Sequence, residues 1–154
     1  MLFDCKGGLL ASQQEELTQY YPEPGLVEHD AAEIWSKTLK CAQDVVTEAG
    51  GAANIAAIGI TNQRETVVVW ERATGRAIHN AIVWQDRRTA DHITKLKADG
   101  FEAETLALAK LPLDPYFSAS KLGWIVENSA AAQDARRAET NGARAFDVIF
   151  GGDT

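Results

Sequence analysis

A short apolar run, Ile55–Ile60, constrains the fold more than any other feature, because each of its residues is apolar or glycine. A strand that is apolar on both faces is typical of a sheet covered by helices on both sides. The run is too short to cross a membrane as a helix, which takes about 20 apolar residues. It therefore predicts a buried strand in a layered α/β fold.

Two segments before this run carry clear local signals. Met1–Phe3 and Leu9–Gln13 have strand character and flank a turn that contains two glycines, which predicts a β-hairpin. Asp30 is a favourable helix N-cap, and apolar residues recur at helical spacing after it. The neighbouring Glu28 and His29 are better explained by this cap and its loop than by a metal site, because consecutive side chains point in different directions.

Strands and helices also alternate after the run. Thr66–Trp70 and Ala81–Trp84 are rich in β-branched and apolar residues and predict two more strands. Asp86 and Ser118 each precede an amphipathic stretch and are expected to cap its helix. The sequence thus predicts a single α/β domain over residues 1–154, with a mixed sheet flanked by helices.

Charge and cysteine content exclude several functional classes. The 154 residues have a formal net charge of −7, which argues against binding to nucleic acids or anionic membranes. Cys5 and Cys41 lie far apart without a nearby second cysteine, so neither a zinc site nor a disulfide is predicted. The N-terminus lacks the basic and apolar regions of a secretory signal, which favours a cytoplasmic protein.

Arg64 and Glu65 are the first candidate binding residues, because they directly follow the predicted buried strand. Ligands of α/β sheets gather at the carboxyl ends of such strands. Arginine offers a fork of donors and glutamate offers only acceptors, so the pair suits the hydroxyls of a polyol, which both donate and accept. The alternative from position alone is a simple ion pair or a solvated turn.

Two aromatic residues extend this hypothesis. Trp84 ends the next predicted strand, where its ring is suited to cover the carbon side of a small polyol, and core packing is the alternative. Tyr116 lies in a loop next to a proline, with a phenol that can donate to a hydroxyl. The chain contains neither of the glycine-rich sequences GxxxxGK[ST] and GxGxxG that bind nucleotide phosphates.

Four stretches together make the chain resemble the glycerol kinases, within the carbohydrate kinase family that also contains gluconate and xylulose kinases. They occur in the family's order, over a resemblance that runs from Met1 to about Glu139. The stretch Asn62–Thr66, which reads Asn-Gln-Arg-Glu-Thr, favours glycerol kinase over the xylulose and gluconate kinases. The stretches are Tyr21–Asp30, Ile58–Thr66, Asn80–Thr89 and Asp114–Ser118.

The resemblance implies a fold, an activity and a site. The fold is the N-terminal lobe of a two-lobe sugar kinase, ribonuclease-H-like and of the actin and hexokinase type, incomplete because its first strand is missing. The activity of the intact parent is phosphorylation of glycerol to glycerol 3-phosphate by ATP with Mg²⁺, in a homo-oligomer. The residues that correspond to the family's glycerol contacts are Arg64, Glu65, Trp84 and Tyr116.

The same resemblance implies that important parts lie outside this chain. Met1 corresponds to a position just after the family's phosphate-contacting turn, and the catalytic aspartate corresponds to a position beyond residue 154. We therefore expect no catalytic residue, bound cofactor or metal in this chain, and no kinase activity from it alone. The alternatives are a non-catalytic polyol-binding fragment, a fragment that self-associates through an open sheet edge, and a sister sugar kinase.

Overall fold

The central strands form where the sequence is β-branched. In the computed structural model, which describes residues 1–130, 132–133 and 146–150, β1 and β2 form a separate hairpin and four strands form a sheet in the order β3-β5-β4-β6. All of these pairings are antiparallel, so the described residues do not form the mixed sheet that the sequence predicts. The strands predicted at 66–70 and 81–84 are confirmed with shifted bounds. The six strands are β1 (Leu2–Phe3), β2 (Leu9–Ala11), β3 (Glu28–His29), β4 (Val67–Glu71), β5 (Ala81–Ile82) and β6 (Phe146–Phe150).

The chain divides into two compact units, each with its own elements. Among the described residues, the first unit contains the hairpin and the helix Ala31–Glu48, and the second contains the four-stranded sheet and the helices Ala90–Ala98, Phe101–Ala109 and Ser118–Asn128. The first unit comprises residues 1–18 and 30–61, and the second comprises residues 19–29 and 62–154.

In the first unit, helix α1 (Ala31–Glu48) begins where the sequence predicts. The Asp30 side chain accepts a hydrogen bond from the amide of Ala32 at 2.8 Å, so the expected N-cap is confirmed. Glu33 does not close a capping box, because its carboxylate accepts from Thr18 and forms an ion pair with Lys37. No helix in the described part of the chain is long and apolar enough to cross a membrane.

The prediction for Ile55–Ile60 is wrong, because the run is not a strand. Its apolar side chains face solvent instead, with Ile58 82% exposed and Ile60 91% exposed. A strand that is apolar on both faces needs neighbours that pair with its backbone and cover both surfaces. In the described residues no strand pairs with this run, so the pattern lacks the partners that would bury it.

In the second unit, the core lies between the sheet and helix α4 (Ser118–Asn128). Val67, Val69 and Ile82 pack with Ile125 of the helix, and all four are at most 3% exposed. Alternate residues of β4 face the helix, as the period of a half-buried strand requires. This contact packs the second half of α4 against β4 and β5.

Helices α2 (Ala90–Ala98) and α3 (Phe101–Ala109) follow β5 in the chain, and Gly100 between them has a φ of 89° that favours glycine. The prediction that Asp86 caps a helix is wrong. Helix α2 starts later, after Thr89, and the Asp86 side chain instead accepts from the amide of Val27 at 2.7 Å. The Asp86 carboxylate therefore joins two distant segments of the chain instead of capping a helix.

Arg88 joins distant segments of the second unit through buried ion pairs. Its side chain is 3% exposed. Nε and Nη2 each donate to the carboxylate of Asp86 at 2.9 Å, and Nη2 also donates to Oε1 of Glu28 at 2.7 Å. The guanidinium lies over the ring of Trp124 in α4, at 4.4 Å from its centroid. Arg88 thus connects β3, the segment after β5, and α4.

The pKa of Arg88 agrees with its buried ion pairs. Burial alone would lower the pKa of Arg88, but its hydrogen bonds to Asp86 and Glu28 outweigh burial and raise that pKa. The guanidinium therefore stays charged, and both buried carboxylates keep a partner. Removing one member of such a group leaves uncompensated charge in the interior.

We predict that Arg88→Met lowers the free energy of unfolding by about 3–5 kcal/mol, since it leaves two buried carboxylates without their cation. Urea unfolding followed by circular dichroism measures the change. Arg87→Met is the matched control, because the neighbouring Arg87 side chain is 57% exposed and lies 3.5 Å from Asp114. Arg87→Met should lower the free energy of unfolding by less than about 1 kcal/mol. Equal losses in the two variants would contradict a special role for Arg88.

Candidate functional site

Glu65 occupies an unusual backbone conformation in the turn before β4. Its φ is 60°, in the left-handed region that few residues other than glycine adopt. Its Oε2 accepts hydrogen bonds from the amide of Ser118 at 2.7 Å and from the hydroxyl of Ser118 at 2.6 Å. These two bonds hold the carboxylate and compensate for the cost of the backbone conformation.

Ser118 begins α4 but does not cap it as predicted. The N-cap position is Phe117, and the Ser118 hydroxyl donates to Glu65 rather than accepting from its own helix. The carboxylate of Glu65 takes the capping role from another part of the chain, because it accepts an amide at the helix N-terminus. A negative charge is favourable there, since the helix dipole is positive at that end.

Lys121 lies one turn into α4 and is completely buried, at 0% exposed. Its Nζ donates to the backbone carbonyl of Glu65 at 3.1 Å and to the backbone carbonyl of Tyr116. Burial lowers the pKa of Lys121 to about 8, against the opposing influence of Glu65, Asp86 and Asp114. Loss of hydration outweighs these carboxylates because the ammonium has little contact with water.

Trp84 and Tyr116 form an aromatic pair. Their ring centroids are 5.9 Å apart in an edge-to-face arrangement, and Tyr116 makes a second such contact with Phe117 at 5.2 Å. The Tyr116 loop is held by Asp114, whose side chain accepts from the amide of Tyr116 at 2.8 Å. Trp84 remains 38% exposed, so part of its ring is available to a ligand.

Contacts therefore link three of the four predicted site residues. Lys121 connects the Glu65 turn to the Tyr116 loop, and Tyr116 touches Trp84. Arg64 precedes Glu65 in the same turn and is exposed. The set combines a guanidinium, a carboxylate, a phenol and an indole, which are groups that bind hydroxyls and cover a short carbon chain.

The sequence analysis missed Lys121, although a signal was present. Ser118, Lys121 and Ile125 are spaced for one face of a helix, and that face is the buried one. A pattern based on apolar residues alone selects Leu122 and Val126 together with Ile125, and so excludes the lysine. The pairing of Arg88 with Glu28 carried no such signal, because the two residues are distant in the sequence.

A change of pH should reveal the burial of Lys121. Its pKa is about 8 in the folded chain, against 10.5 for an unperturbed lysine. Between these values the unfolded chain binds more protons, so stability rises with pH. We predict that between pH 7 and pH 10.5 the free energy of unfolding of the wild type rises by roughly 2–3 kcal/mol relative to that of Lys121→Met.

Urea unfolding at several pH values measures this difference, and comparison with the variant cancels the titration of other groups. Lys95→Met is the matched control, because Lys95 is an exposed lysine on α2. The difference in free energy of unfolding between Lys95→Met and the wild type should not change with pH. A wild type that loses stability relative to Lys121→Met over this interval would contradict the prediction.

The chain matches the N-terminal domain of the FGGY family of carbohydrate kinases over residues 1–142. A glycerol kinase from Burkholderia cenocepacia is 53% identical over 138 residues, which are 89% of this chain and 28% of the relative. A glycerol kinase from Paraburkholderia phymatum is 51% identical over 150 residues, which are 97% of this chain and 30% of the relative. The chain thus spans less than a third of the length of these curated relatives.

Solved structures agree with the fold. Plasmodium falciparum glycerol kinase with ADP matches with a TM-score of 0.86 and 27% identity, over 97% of this chain and 29% of that one. A gluconate kinase from Lactobacillus acidophilus matches with a TM-score of 0.74 and 21% identity, over 82% of this chain and 25% of that one. The second match concerns the fold alone. The expected α/β fold class, of the actin and hexokinase type, is confirmed.

Proposed function

This chain belongs to the FGGY family of carbohydrate kinases, through the family's N-terminal domain, and on that premise we propose that its protein phosphorylates glycerol. In this proposal the chain supplies the residues that bind the acceptor, namely Arg64, Glu65, Trp84 and Tyr116. The observation that carries the proposal is the link between Glu65 and Tyr116 through Lys121, which joins turns that are distant in the sequence. The relatives named glycerol kinase, at more than half identity, support glycerol as the substrate.

Each side chain has a role that follows from its chemistry. The Glu65 carboxylate accepts hydrogen bonds from glycerol hydroxyls, and the Arg64 guanidinium donates to one of them. The Trp84 ring packs against the carbon chain, and the Tyr116 hydroxyl makes a further polar contact. Phosphoryl transfer depends mostly on positioning, so a site that orients one hydroxyl contributes directly to the reaction.

The family implies ATP as phosphoryl donor with Mg²⁺. In the described part of the chain, no group of three or more His, Cys, Asp or Glu side chains is arranged to hold a metal ion. The proposal assigns no nucleotide or metal contact to Arg64, Glu65, Trp84 or Tyr116. Their part is to bind and orient the acceptor.

We predict that Glu65→Gln weakens glycerol binding by roughly ten- to a hundredfold. The substitution keeps the shape of the side chain but removes the charge, and hydrogen bonds to charged groups contribute about 1.5–3 kcal/mol each. Titration of the chain with glycerol, followed through the indole NMR signal of Trp84, gives the dissociation constant.

Glu104→Gln is the matched control, because Glu104 is an exposed glutamate on α3. It should leave the glycerol dissociation constant unchanged. A Glu65→Gln variant that binds glycerol as the wild type does would remove Glu65 from the site. A wild-type chain whose Trp84 signal is insensitive to glycerol would contradict binding by this chain.

A second candidate function, self-association, is favoured by the exposed run Ile55–Ile60. No charged residue lies between Glu48 and Arg64, so no like charges oppose the approach of a second copy. Unpaired apolar segments of this kind are open to pairing with another chain. A cavity of about 860 Å³ beside the run is lined by residues of the first unit, among them Leu2, Leu10 and Ile55.

We predict that the chain forms dimers or larger species as its concentration rises, and that Ile58→Lys shifts it towards monomer by placing a charge on the pairing segment. Light scattering over a concentration series measures the average mass. Leu108→Lys is the control, because Leu108 is 79% exposed on α3, away from the run in sequence. A monomeric wild type at every concentration, or an equal effect of both variants, would rule out pairing through this run.

A further inference from the structure

A lysine without solvent contact is costly to keep charged, so its position needs a compensating structure. Lys121 is 0% exposed and points its ammonium at two backbone carbonyls. The carbonyls belong to Glu65 and Tyr116, two of the residues proposed to contact glycerol. The lysine itself is not among those contacts, and the proposed function uses it only as the link between the two segments.

The two carbonyls lie in segments that have little regular structure of their own. The Glu65 turn has a left-handed φ of 60°, and the Tyr116 loop lies between α3 and α4. Rotation of either peptide would move the side chain that it carries. A donor that bonds both carbonyls from a buried position on α4 therefore fixes the two segments relative to one rigid helix.

We propose that Lys121 is a positioning residue for polyol binding, which sets the Glu65 carboxylate and the Tyr116 ring in their binding geometry by holding both backbone carbonyls. This inference rests on the proposed function for its consequence, the affinity for glycerol. Its structural part concerns only the Glu65 turn and the Tyr116 loop. That part is measurable without any ligand.

The surroundings of the ammonium are consistent with this role. The carboxylates of Glu65, Asp86 and Asp114 act on it, and the Tyr116 ring centroid lies 5.9 Å from Nζ. A neutral amine still has two N–H donors, so it can serve the two carbonyls after losing its proton. The ammonium has three donors and a charge that attracts Glu65, so the two protonation states hold the turn differently.

The first test compares Lys121→Met with Lys95→Met in the chain. The readout without ligand is exchange of the Ser118 amide, which donates to Glu65 Oε2 at 2.7 Å. In Lys121→Met this amide should exchange about tenfold faster, as expected for loss of one hydrogen bond to a charged group. Core amides of Val67 and Ile82 should keep their protection, and Lys95→Met should match the wild type throughout.

The second readout is glycerol affinity, which should fall about tenfold in Lys121→Met and recover in part in Lys121→Arg, since arginine keeps the charge and the donors. Faster Ser118 exchange in a chain whose wild type binds no glycerol supports the positioning of the turn and contradicts the proposed function. Unchanged Ser118 exchange and unchanged affinity in a folded Lys121→Met would overturn the role of Lys121.

If Lys121→Met does not fold, the wild type still decides the question. The amide signals of Glu65, Tyr116 and Ser118 should shift together as Nζ loses its proton, with one midpoint near the pKa of about 8. Amides near Lys95 should not follow this titration. Flat signals for the three residues between pH 7 and pH 10 would show that the lysine does not control the turn, and would overturn the proposal.

Discussion

The second unit depends on the burial of one guanidinium. Arg88 is paired with carboxylates from Asp86 and Glu28 and covered by the ring of Trp124. An ion pair of this kind is not a large source of net stability, because desolvation offsets much of the attraction. Its effect is to make other arrangements of these segments expensive, since any of them would leave a buried charge without its partner.

The residues of the candidate site are connected to this ion pair through the segment after β5 and through α4. The Arg88 group fixes the segment after β5, which carries Trp84, and contacts α4, which carries Lys121. From α4, the lysine reaches the Glu65 turn and the Tyr116 loop. The groups proposed to bind glycerol thus lie on turns, while buried charges on or beside regular elements hold those turns in place. Loops with few contacts of their own can therefore carry a site of defined geometry, because buried charges fix their positions.

Local signals in the sequence predicted local structure. They did not predict which distant segments of the chain would interact. The N-cap at Asp30 depends on the next few residues and was predicted correctly. Ser118 was expected to cap its helix, but a carboxylate from far along the chain does so instead. The run Ile55–Ile60 has the composition of a buried strand, yet burial depends on neighbours that composition does not specify. The grouping of Glu65 with Tyr116 followed from family resemblance, since no spacing rule connects them.

The left-handed backbone at Glu65 has an evolutionary consequence. A φ of 60° is least strained for glycine, whereas the contact with Ser118 requires a side chain with a hydrogen-bond acceptor. A mutation to glycine would relax the turn and remove the acceptor, so backbone stability and the contact with Ser118 favour different residues at this position. Among descendants of this gene, a lineage that no longer uses the site should lose the glutamate early. Under the proposed function, the residue at this position therefore distinguishes copies under selection for glycerol binding from copies that are not.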